Sequence, residues 1–214
     1  MPKIVDAEAR RRDVVDAVFR IIATDGLERV SLREVADEAG LAVGSVRHYF
    51  ASSEELLTHS FATVVDRIIL RLSGALADVE QLGPGTAGHR EAVLTLLGEL
   101  LPLDEQRAVD ACVWMAFKNA ARIRPFLAHE ADRSHRGVAA VVGRIVTELV
   151  PDGGNGQQSL VIQAERLLAT IDGLCMHALL QPEWMTAQVC RDVLEQHLSG
   201  MSAGQPVNVG KHRE

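Results

Sequence analysis

Residues 31–50 read SLREVADEAGLAVGSVRHYF, and this run predicts a helix, a tight turn and a second short helix. Ser31 and Glu34 have the spacing of a capping box, in which each side chain satisfies an unpaired backbone N–H at the start of a helix. Apolar residues recur at helical spacing over the next two turns, at Leu32, Val35, Ala36 and Ala39. Gly40 follows at once and can adopt the positive φ with which many helices end.

The second short helix is expected to direct its polar residues outward. Its apolar residues can face inward, and they are Leu41, Val46 and Phe50. Its outward side then carries a hydroxyl, a guanidinium, an imidazole and a phenol, from Ser45, Arg47, His48 and Tyr49. Such groups suit phosphate oxygens and base edges, and a helix-turn-helix places its second helix in the major groove. The pattern therefore predicts a DNA-binding element.

The run from Gly26 to Leu57 also resembles the DNA-binding domain of the TetR family of bacterial transcriptional regulators. The shared pattern comprises a first helix that ends on glycine, a capped second helix, an aromatic pair that closes the recognition helix and a further capped helix. Here these are Gly26, Ser31–Gly40, Tyr49-Phe50 and Ser52-Ser53-Glu54-Glu55-Leu56-Leu57. The resemblance implies an all-α homodimer that binds double-stranded DNA. Contacts with DNA are then expected from Ser31, Arg33, Val43, Gly44, Ser45, Arg47, His48 and Tyr49.

The charge of the chain argues against DNA binding by its whole surface. The 214 residues carry a net charge of −7, and residues 1–50 carry eight Lys and Arg against nine Asp and Glu. A positive footprint must therefore be local, at Arg33, at Arg47 and at Arg10-Arg11-Arg12, a run that is either a solvated helix face or a set of phosphate contacts. Few phosphate contacts give a modest affinity, which two copies of the domain would raise by avidity.

Composition and motif content exclude several other classes of protein. A hydrophobic fraction of 47% and a charged fraction of 24% are ordinary for a globular domain. No Ser-His-Asp arrangement, phosphate-binding glycine loop or paired carboxylate indicates an enzyme, and neither a cofactor nor a metal site is predicted. The absence of a signal peptide and of a long apolar run predicts a cytoplasmic protein without a membrane span. We interpret three scattered cysteines as buried small hydrophobic residues, namely Cys112, Cys175 and Cys190.

Helical periodicity continues through most of the chain. The expected helices span approximately Asp6–Thr24, Ser52 to Ala77 or Val79, Arg90–Leu101, Asp104–Arg122, Pro125–Leu149, Gln157–Leu180 and Pro182 to Ser199 or Gly200. This organisation predicts an all-α protein with a three-helix helix-turn-helix domain at residues 1–51. A larger helical effector-binding and dimerisation domain follows at residues 52–201. Residues 202–214 are polar and punctuated by Gly and Pro, and we expect them to be disordered.

A second, shorter resemblance concerns the C-terminal half. Ile171-Asp172-Gly173-Leu174 followed by Leu179-Leu180-Gln181-Pro182 is similar to a pattern in one TetR-family subgroup, which includes repressors of osmoprotectant and small-metabolite pathways. In the family, the last two long helices of each subunit form a four-helix dimer interface, and the resemblance implies the same interface here. Close approach of these helices would be helped by the small residues Ala164, Ala169, Gly173 and Ala178.

Candidate effector-binding residues lie on the middle and later helices. The segment ACVWMAF at 111–117 is apolar on every side, as expected for a helix buried in the middle of a domain. Aromatic residues at helical spacing are usually core residues. The resemblance nevertheless implies a small-molecule cavity among these helices, and such pockets are largely apolar with a few polar groups. Effector contacts are therefore expected from Phe61, Trp114, Phe117, Asp172 and Met176, with core packing as the alternative.

Two hypotheses from different classes follow. In the first, the chain is a homodimeric transcriptional regulator, in the simplest case a repressor, that binds a palindromic operator and responds to a small-molecule effector. In the second, it is an all-helical small-molecule-binding or scaffold protein whose helix-turn-helix is idle. The acidic balance and Ser53, where many family members carry Lys, would allow the second. Discrete, salt-dependent complexes with upstream DNA would distinguish the two.

Overall fold

The computed structural model of the chain describes residues 7–150 and 157–202. Every regular element in these two ranges is helical, which confirms the predicted all-α fold. The α-helices are α1 (Ala7–Asp25), α2 (Leu32–Glu38), α3 (Val43–Tyr49), α4 (Ser53–Glu80), α5 (Ala87–Gly98), α6 (Glu105–Ala121), α7 (Ala128–Leu149), α8 (Gln157–Leu180) and α9 (Ala187–Ser202). Two 3₁₀ turns, Leu27–Arg29 and Pro125–Leu127, precede α2 and α7. None of the described helices is long and apolar enough to cross a bilayer.

Helices α1, α2 and α3 pack around a small apolar core. The inward side of α1 is buried, at Val14, Ala17, Val18, Ile21 and Ile22. The two short helices add Val35, Ala36 and Val46, none of which retains exposed surface. Between them, Gly40 has a φ of +65°, a conformation that glycine adopts at little cost. The turn predicted after α2 therefore forms where the sequence places it.

Helix α4 connects the helix-turn-helix to the rest of the fold. Its 28 residues span about 42 Å at 1.5 Å per residue. Ser52 caps its start, because the serine Oγ accepts a hydrogen bond from the Glu55 N–H at 3.1 Å. The helix packs against α1, α5, α6 and α7. Its buried side includes Leu57, Phe61, Val64, Val65, Ile68 and Leu72.

Helix α6 lies at the centre of the C-terminal half, where it packs against α1, α4, α7 and α8. Its buried apolar residues include Ala111, Val113, Trp114 and Phe117. Its remaining side is less enclosed than the apolar run predicts, since Cys112, Met115 and Ala116 are only half-buried. Because α6 packs against both α1 and the later helices, a change on one side of it can reach the other.

Helix α5 lies earlier in the chain than the sequence predicts, at Ala87–Gly98 rather than Arg90–Leu101. Thr86 sets its start, because its Oγ1 accepts a hydrogen bond from the His89 N–H at 3.1 Å. Its end also comes earlier than predicted, four residues before Pro102. The start of α5 is therefore set by the Thr86 cap, and not by the apolar periodicity that predicted a start at Arg90.

Helix α9 begins later than predicted, at Ala187 rather than at Pro182. The proline lies in a turn, in which the Met185 N–H donates to the Gln181 carbonyl oxygen at 2.8 Å. Trp184 lies in the same turn, 72% exposed. At the other end, α9 includes Ser202, so the disordered tail predicted to begin there was placed one residue early. The remainder of that predicted tail lies outside the described residues.

Candidate DNA-binding and effector sites

Helix α3 presents a polar surface to solvent, as its pattern predicts. The exposed residues of this helix are Gly44, Ser45, Arg47 and His48. Val46 and Phe50, both without exposed surface, fix the rotation of the helix against the core. Arg47 has no hydrogen bond or ion pair with any residue in the ranges that the structure describes. Its guanidinium is therefore available to a partner outside the chain.

The C-terminal end of α3 is anchored to α1 by Arg11. This arginine donates from Nη2 to the Tyr49 carbonyl oxygen at 3.2 Å, and its guanidinium lies 5.2 Å from the centroid of the Phe50 ring. Tyr49 and Val43 are half-buried and pack against the core, so Tyr49 is less exposed than the pattern predicts. Within the Arg10-Arg11-Arg12 run, the central arginine thus stabilises the fold by holding the end of α3.

Helix α2 carries the two remaining candidates for DNA contact. Arg33 is exposed. Ser31 caps the helix, and its Oγ accepts a hydrogen bond from the Glu34 N–H at 3.1 Å. The reciprocal half of the predicted capping box does not form, because the Glu34 carboxylate lies 3.5 Å from the guanidinium of Arg29 instead. The serine hydroxyl can still donate its own proton to an external acceptor.

Phe61 and Phe117 form a stacked pair in the core. Their ring centroids are 4.9 Å apart with an interplanar angle of 13°, and neither side chain is exposed. The other candidates for effector contact lie at different depths. Trp114 is 5% exposed, whereas Met176 is 43% exposed on α8. The structure therefore brings the two phenylalanines together and places Met176 on the outer surface.

A polar cluster joins α6 to α8 at the edge of this core. The Trp114 Nε1–H donates to Ser134 Oγ on α7 at 2.6 Å. The Lys118 ammonium lies 4.0 Å from the centroid of the Trp114 ring and 3.4 Å from Asp172 Oδ2. Asp172 thus approaches Trp114 through Lys118, a residue that the sequence reading did not include among the candidates. The position of Lys118, one turn after Trp114 on the same helix, was the sequence signal that could have identified it.

A cleft of about 520 Å³ lies between α1, α4 and α6. Its lining residues are Asp16, Phe19, Arg20, Arg67, Arg71, Gln106, Val109 and Asp110. These come from the first helix of the helix-turn-helix region and from two helices of the C-terminal half. The cleft therefore lies at the junction of the two parts of the chain.

The charged groups of this cleft form one network around Asp110, whose side chain is 1% exposed. Arg71 Nη1 donates to Asp110 Oδ2 at 2.6 Å, and Gln106 Nε2 donates to Oδ1 at 3.1 Å. Arg67 Nη1 lies 3.6 Å from Asp110 Oδ1, while its Nη2 donates to Asp16 Oδ1 at 2.7 Å. The network thus connects α1, α4 and α6. The sequence analysis did not predict this network, although Arg67 and Arg71 are four residues apart and Asp110 directly precedes the apolar run at 111–117.

The outer surface of α8 and α9 is unusually apolar. Exposed large hydrophobic residues there and in the intervening turn are Val161, Ile162, Met176, Leu180, Trp184 and Val193. Ile162, Ala169 and Met176 are seven residues apart and therefore lie on one side of α8. Ala169 is exposed and Gly173 half-exposed, whereas Ala178 is buried within the chain. Exposed large apolar residues grouped on neighbouring helices mark a contact region in many proteins.

Cys175 and Cys190 are buried, as predicted, whereas Cys112 is only half-buried. Burial raises the pKa of the Cys175 thiol to about 12, with a further contribution from the nearby Asp172 carboxylate. Burial also raises the thiol pKa values of Cys112 and Cys190. The thiols are therefore protonated at neutral pH, which disfavours oxidation and metal binding. In the part of the chain that the structure describes, no group of His, Cys, Asp and Glu is arranged to hold a metal ion.

Two family models match the chain. The model described as bacterial regulatory proteins, tetR family, matches residues 14–59, which include all of the helix-turn-helix. The model described as BetI-type transcriptional repressor, C-terminal, matches residues 89–203. The second match covers the stretch in which the short C-terminal pattern lies.

Similar proteins and structures support the same assignment. The HTH-type transcriptional regulator PksA of Bacillus subtilis is 33% identical over 202 residues, which cover 94% of each chain. A transcriptional regulator from Rhodococcus sp. Rha1 superposes with a TM-score of 0.75 and 28% identity, over 91% of this chain and 96% of that one. A regulator from Saccharomonospora viridis in complex with choline shares the fold, with a TM-score of 0.71 and 20% identity over 90% and 95% of the two chains. The chain therefore belongs to the TetR family of bacterial regulatory proteins, and it is a transcriptional regulator rather than an enzyme.

Proposed function

We propose that the protein is a repressor that binds a palindromic operator as a homodimer and responds to a small-molecule effector. The proposal is carried by Arg47, whose exposed guanidinium stands on the second helix of a TetR-type helix-turn-helix without a partner in the described ranges. Arginine in that setting suits bidentate contact with guanine or with a phosphate. As a regulator of chromosomal DNA, the protein would act in the cytoplasm.

The DNA-binding domain is proposed to comprise residues 1–51. Ser45, Arg47 and His48 would enter the major groove, and the absence of a side chain at Gly44 would let the helix approach the DNA backbone closely. The hydroxyl of Ser31, Arg33 and the exposed edges of Val43 and Tyr49 would contribute flanking contacts. Two copies would place their recognition helices about one DNA turn apart, roughly 34–36 Å.

Recovery of the operator tests the class of function. Purified protein would be mixed with fragmented genomic DNA from its source, and the bound fragments sequenced at two salt concentrations. We expect a short palindromic site whose recovery falls at the higher salt concentration, because phosphate contacts release counterions. Recovery of no discrete site at either concentration would contradict the proposal and favour a ligand-binding protein with an idle helix-turn-helix.

Replacing Arg47 with alanine is expected to weaken operator binding by about 1–3 kcal/mol, because a good bidentate arginine contact is worth about that much. Fluorescence anisotropy with the recovered operator would measure the change, and light scattering would check that the mass of the protein is unaltered. Arg136→Ala is the matched control, since this exposed α7 arginine pairs only with Asp132 in the described ranges. Equal affinities for the two variants would remove Arg47 from the interface.

The homodimer is proposed to form through α8 and α9. These helices and the turn between them expose large apolar residues, and two such helix pairs would bury them in a four-helix contact. Ala169 is central to the proposed contact, because it lies midway between Ile162 and Met176 on the same side of α8. A small residue at that position lets two helix backbones approach closely.

Ala169→Arg is expected to prevent dimerisation without unfolding the chain. Arginine is a good helix former, so the exposed position tolerates it within one subunit, but its bulk and charge would separate two facing helices. Sedimentation velocity would detect the change in mass. Leu70→Arg, at a 75% exposed position on α4, is the control. A dimer that survives Ala169→Arg would place the interface elsewhere.

The effector is proposed to bind in residues 52–201, among Phe61, Trp114, Phe117 and Asp172, whereas Met176, which is exposed on the outer side of α8, belongs to the proposed dimer contact. Helix α6 is suited to transmit its binding. The helix carries Trp114 and Phe117, and through Asp110 and Arg67 it is linked to α1. Directly after α6, Arg124 donates two hydrogen bonds to the Glu28 carboxylate, at 2.9 and 2.8 Å, beside the start of α2. A shift of α6 would therefore change the position of the recognition helix, with a coupling of about 1–3 kcal/mol.

A further inference from the structure

Lys118 occupies a position that would otherwise suit a free organic cation. Its ammonium lies 4.0 Å from the centroid of the Trp114 ring and 3.4 Å from Asp172 Oδ2. An aromatic face combined with a carboxylate is the arrangement that binds ammonium groups in proteins. Here the cation is supplied by the chain itself.

The ring that Lys118 covers is held in place. Trp114 is 5% exposed, and its Nε1–H donates to Ser134 Oγ at 2.6 Å, so the indole cannot easily turn away. Lys118 and Asp172 are more open, with side chains 33% and 52% exposed. The covered face of the indole therefore lies between α6 and α8, with the Lys118 side chain between the ring and solvent.

A tethered ammonium is a strong competitor for such a site. Because Lys118 is attached one turn along the same helix, its effective concentration at the ring exceeds that of any free cation at ordinary levels. A second positive charge would also be repelled by the first. Asp172, being half-exposed and 3.4 Å away, adds only a weak ion pair, so the ring contact and the tether hold the ammonium there.

We propose that Lys118 is a specificity-determining residue, which fills an aromatic–carboxylate cation site from within and so restricts the effector to molecules without a positive charge. The inference rests on the proposed function, because it concerns the effector region of a ligand-responsive regulator. It assigns to Lys118 the exclusion of small quaternary ammonium compounds. Removal of the lysine side chain would leave the Trp114 face and the Asp172 carboxylate open to them.

The test is a titration with tetramethylammonium, followed by the fluorescence of Trp114. The chain contains two tryptophans, so all variants would carry Trp184→Phe to remove the signal from the exposed turn. The parent is expected to show no saturable response. Lys118→Ala is expected to bind the cation at least about tenfold more tightly, as an accessible aromatic face provides. Circular dichroism melting would establish that each variant is folded.

Two further variants make the outcome specific. Lys118→Arg keeps a tethered cation and is expected to reject tetramethylammonium as the parent does. Lys118→Ala combined with Asp172→Asn is expected to lose most of the gained affinity, because the carboxylate no longer attracts the ligand. A parent that binds the cation as tightly as Lys118→Ala, or a folded Lys118→Ala that gains nothing, would overturn the proposal.

The titration needs no DNA, so its outcome is separate from that of the operator experiment. A gain of cation binding without any operator would uphold the role of Lys118 and contradict the proposed repressor. A discrete operator complex together with a Lys118→Ala variant that does not bind tetramethylammonium would support the proposed repressor and contradict the role of Lys118. If both hold, tetramethylammonium is expected to alter operator binding by Lys118→Ala and to leave the parent complex unchanged.

Discussion

Asp110→Ala is expected to lower the free energy of unfolding by about 1.5–3 kcal/mol, because the change removes a buried carboxylate that accepts charge-assisted hydrogen bonds, and such bonds are worth about that much. The Asp110 side chain is 1% exposed, and it accepts a hydrogen bond from Arg71 at 2.6 Å and lies 3.6 Å from Arg67. Asp16 and Glu99 remain within reach of these arginines. They cannot replace a carboxylate that stands between the two guanidinium groups.

Urea denaturation followed by circular dichroism would measure the loss, at one protein concentration for all variants because dimerisation adds to apparent stability. Asp16→Ala is the control. It removes a carboxylate of the same network that is 46% exposed, and surface pairs are worth about 1 kcal/mol or less. Equal losses in the two variants would mean that burial does not set the strength of this network.

Phe61→Ala is expected to lower the free energy of unfolding by about 3–5 kcal/mol, because the deletion leaves a cavity that a packed core closes only in part. Phe61 has no exposed surface, and its ring stacks on that of Phe117 with centroids 4.9 Å apart. The substitution removes both the buried area and the contact between the rings. Chemical denaturation again gives the difference in free energy.

Leu70→Ala on the same helix is the matched control, since its side chain is 75% exposed and such changes usually stay within about 0.5 kcal/mol. The Phe61 variant also tests whether the stacked pair belongs to the core or lines an effector cavity. A loss near that of Leu70→Ala would indicate that the pair contributes little packing and favours the cavity interpretation. A large loss with unchanged operator binding would assign the pair to the core.

Much of the fold was predictable because its signals are local. Ser31, Ser52 and Gly40 mark helix ends through hydrogen bonds and backbone conformations that involve only a few neighbouring residues. The apolar spacing in α1 and α4 indicates which sides are buried, and the structure agrees. The outward direction of Ser45, Arg47 and His48 follows from the same spacing, so the exposure of these three side chains could be predicted.

The contacts between distant parts of the chain could not be predicted in this way. Arg71 and Asp110 are 39 residues apart, Lys118 and Asp172 are 54 apart, and Arg124 and Glu28 are 96 apart. Their meeting depends on how α1, α4, α6 and α8 pack, and helical periodicity states only which side of each helix is apolar. It does not state which charged residue stands opposite which.

Local chemistry along the chain thus established the helices, their caps and the helix-turn-helix, because each depends on residues within one or two turns of one another. Tertiary packing alone turned Arg11 inward to hold the end of α3, buried Asp110 between two arginines and brought Lys118 of α6 to Asp172 of α8. These arrangements depend on the relative positions of whole helices, which are determined by the fit of many side chains at once.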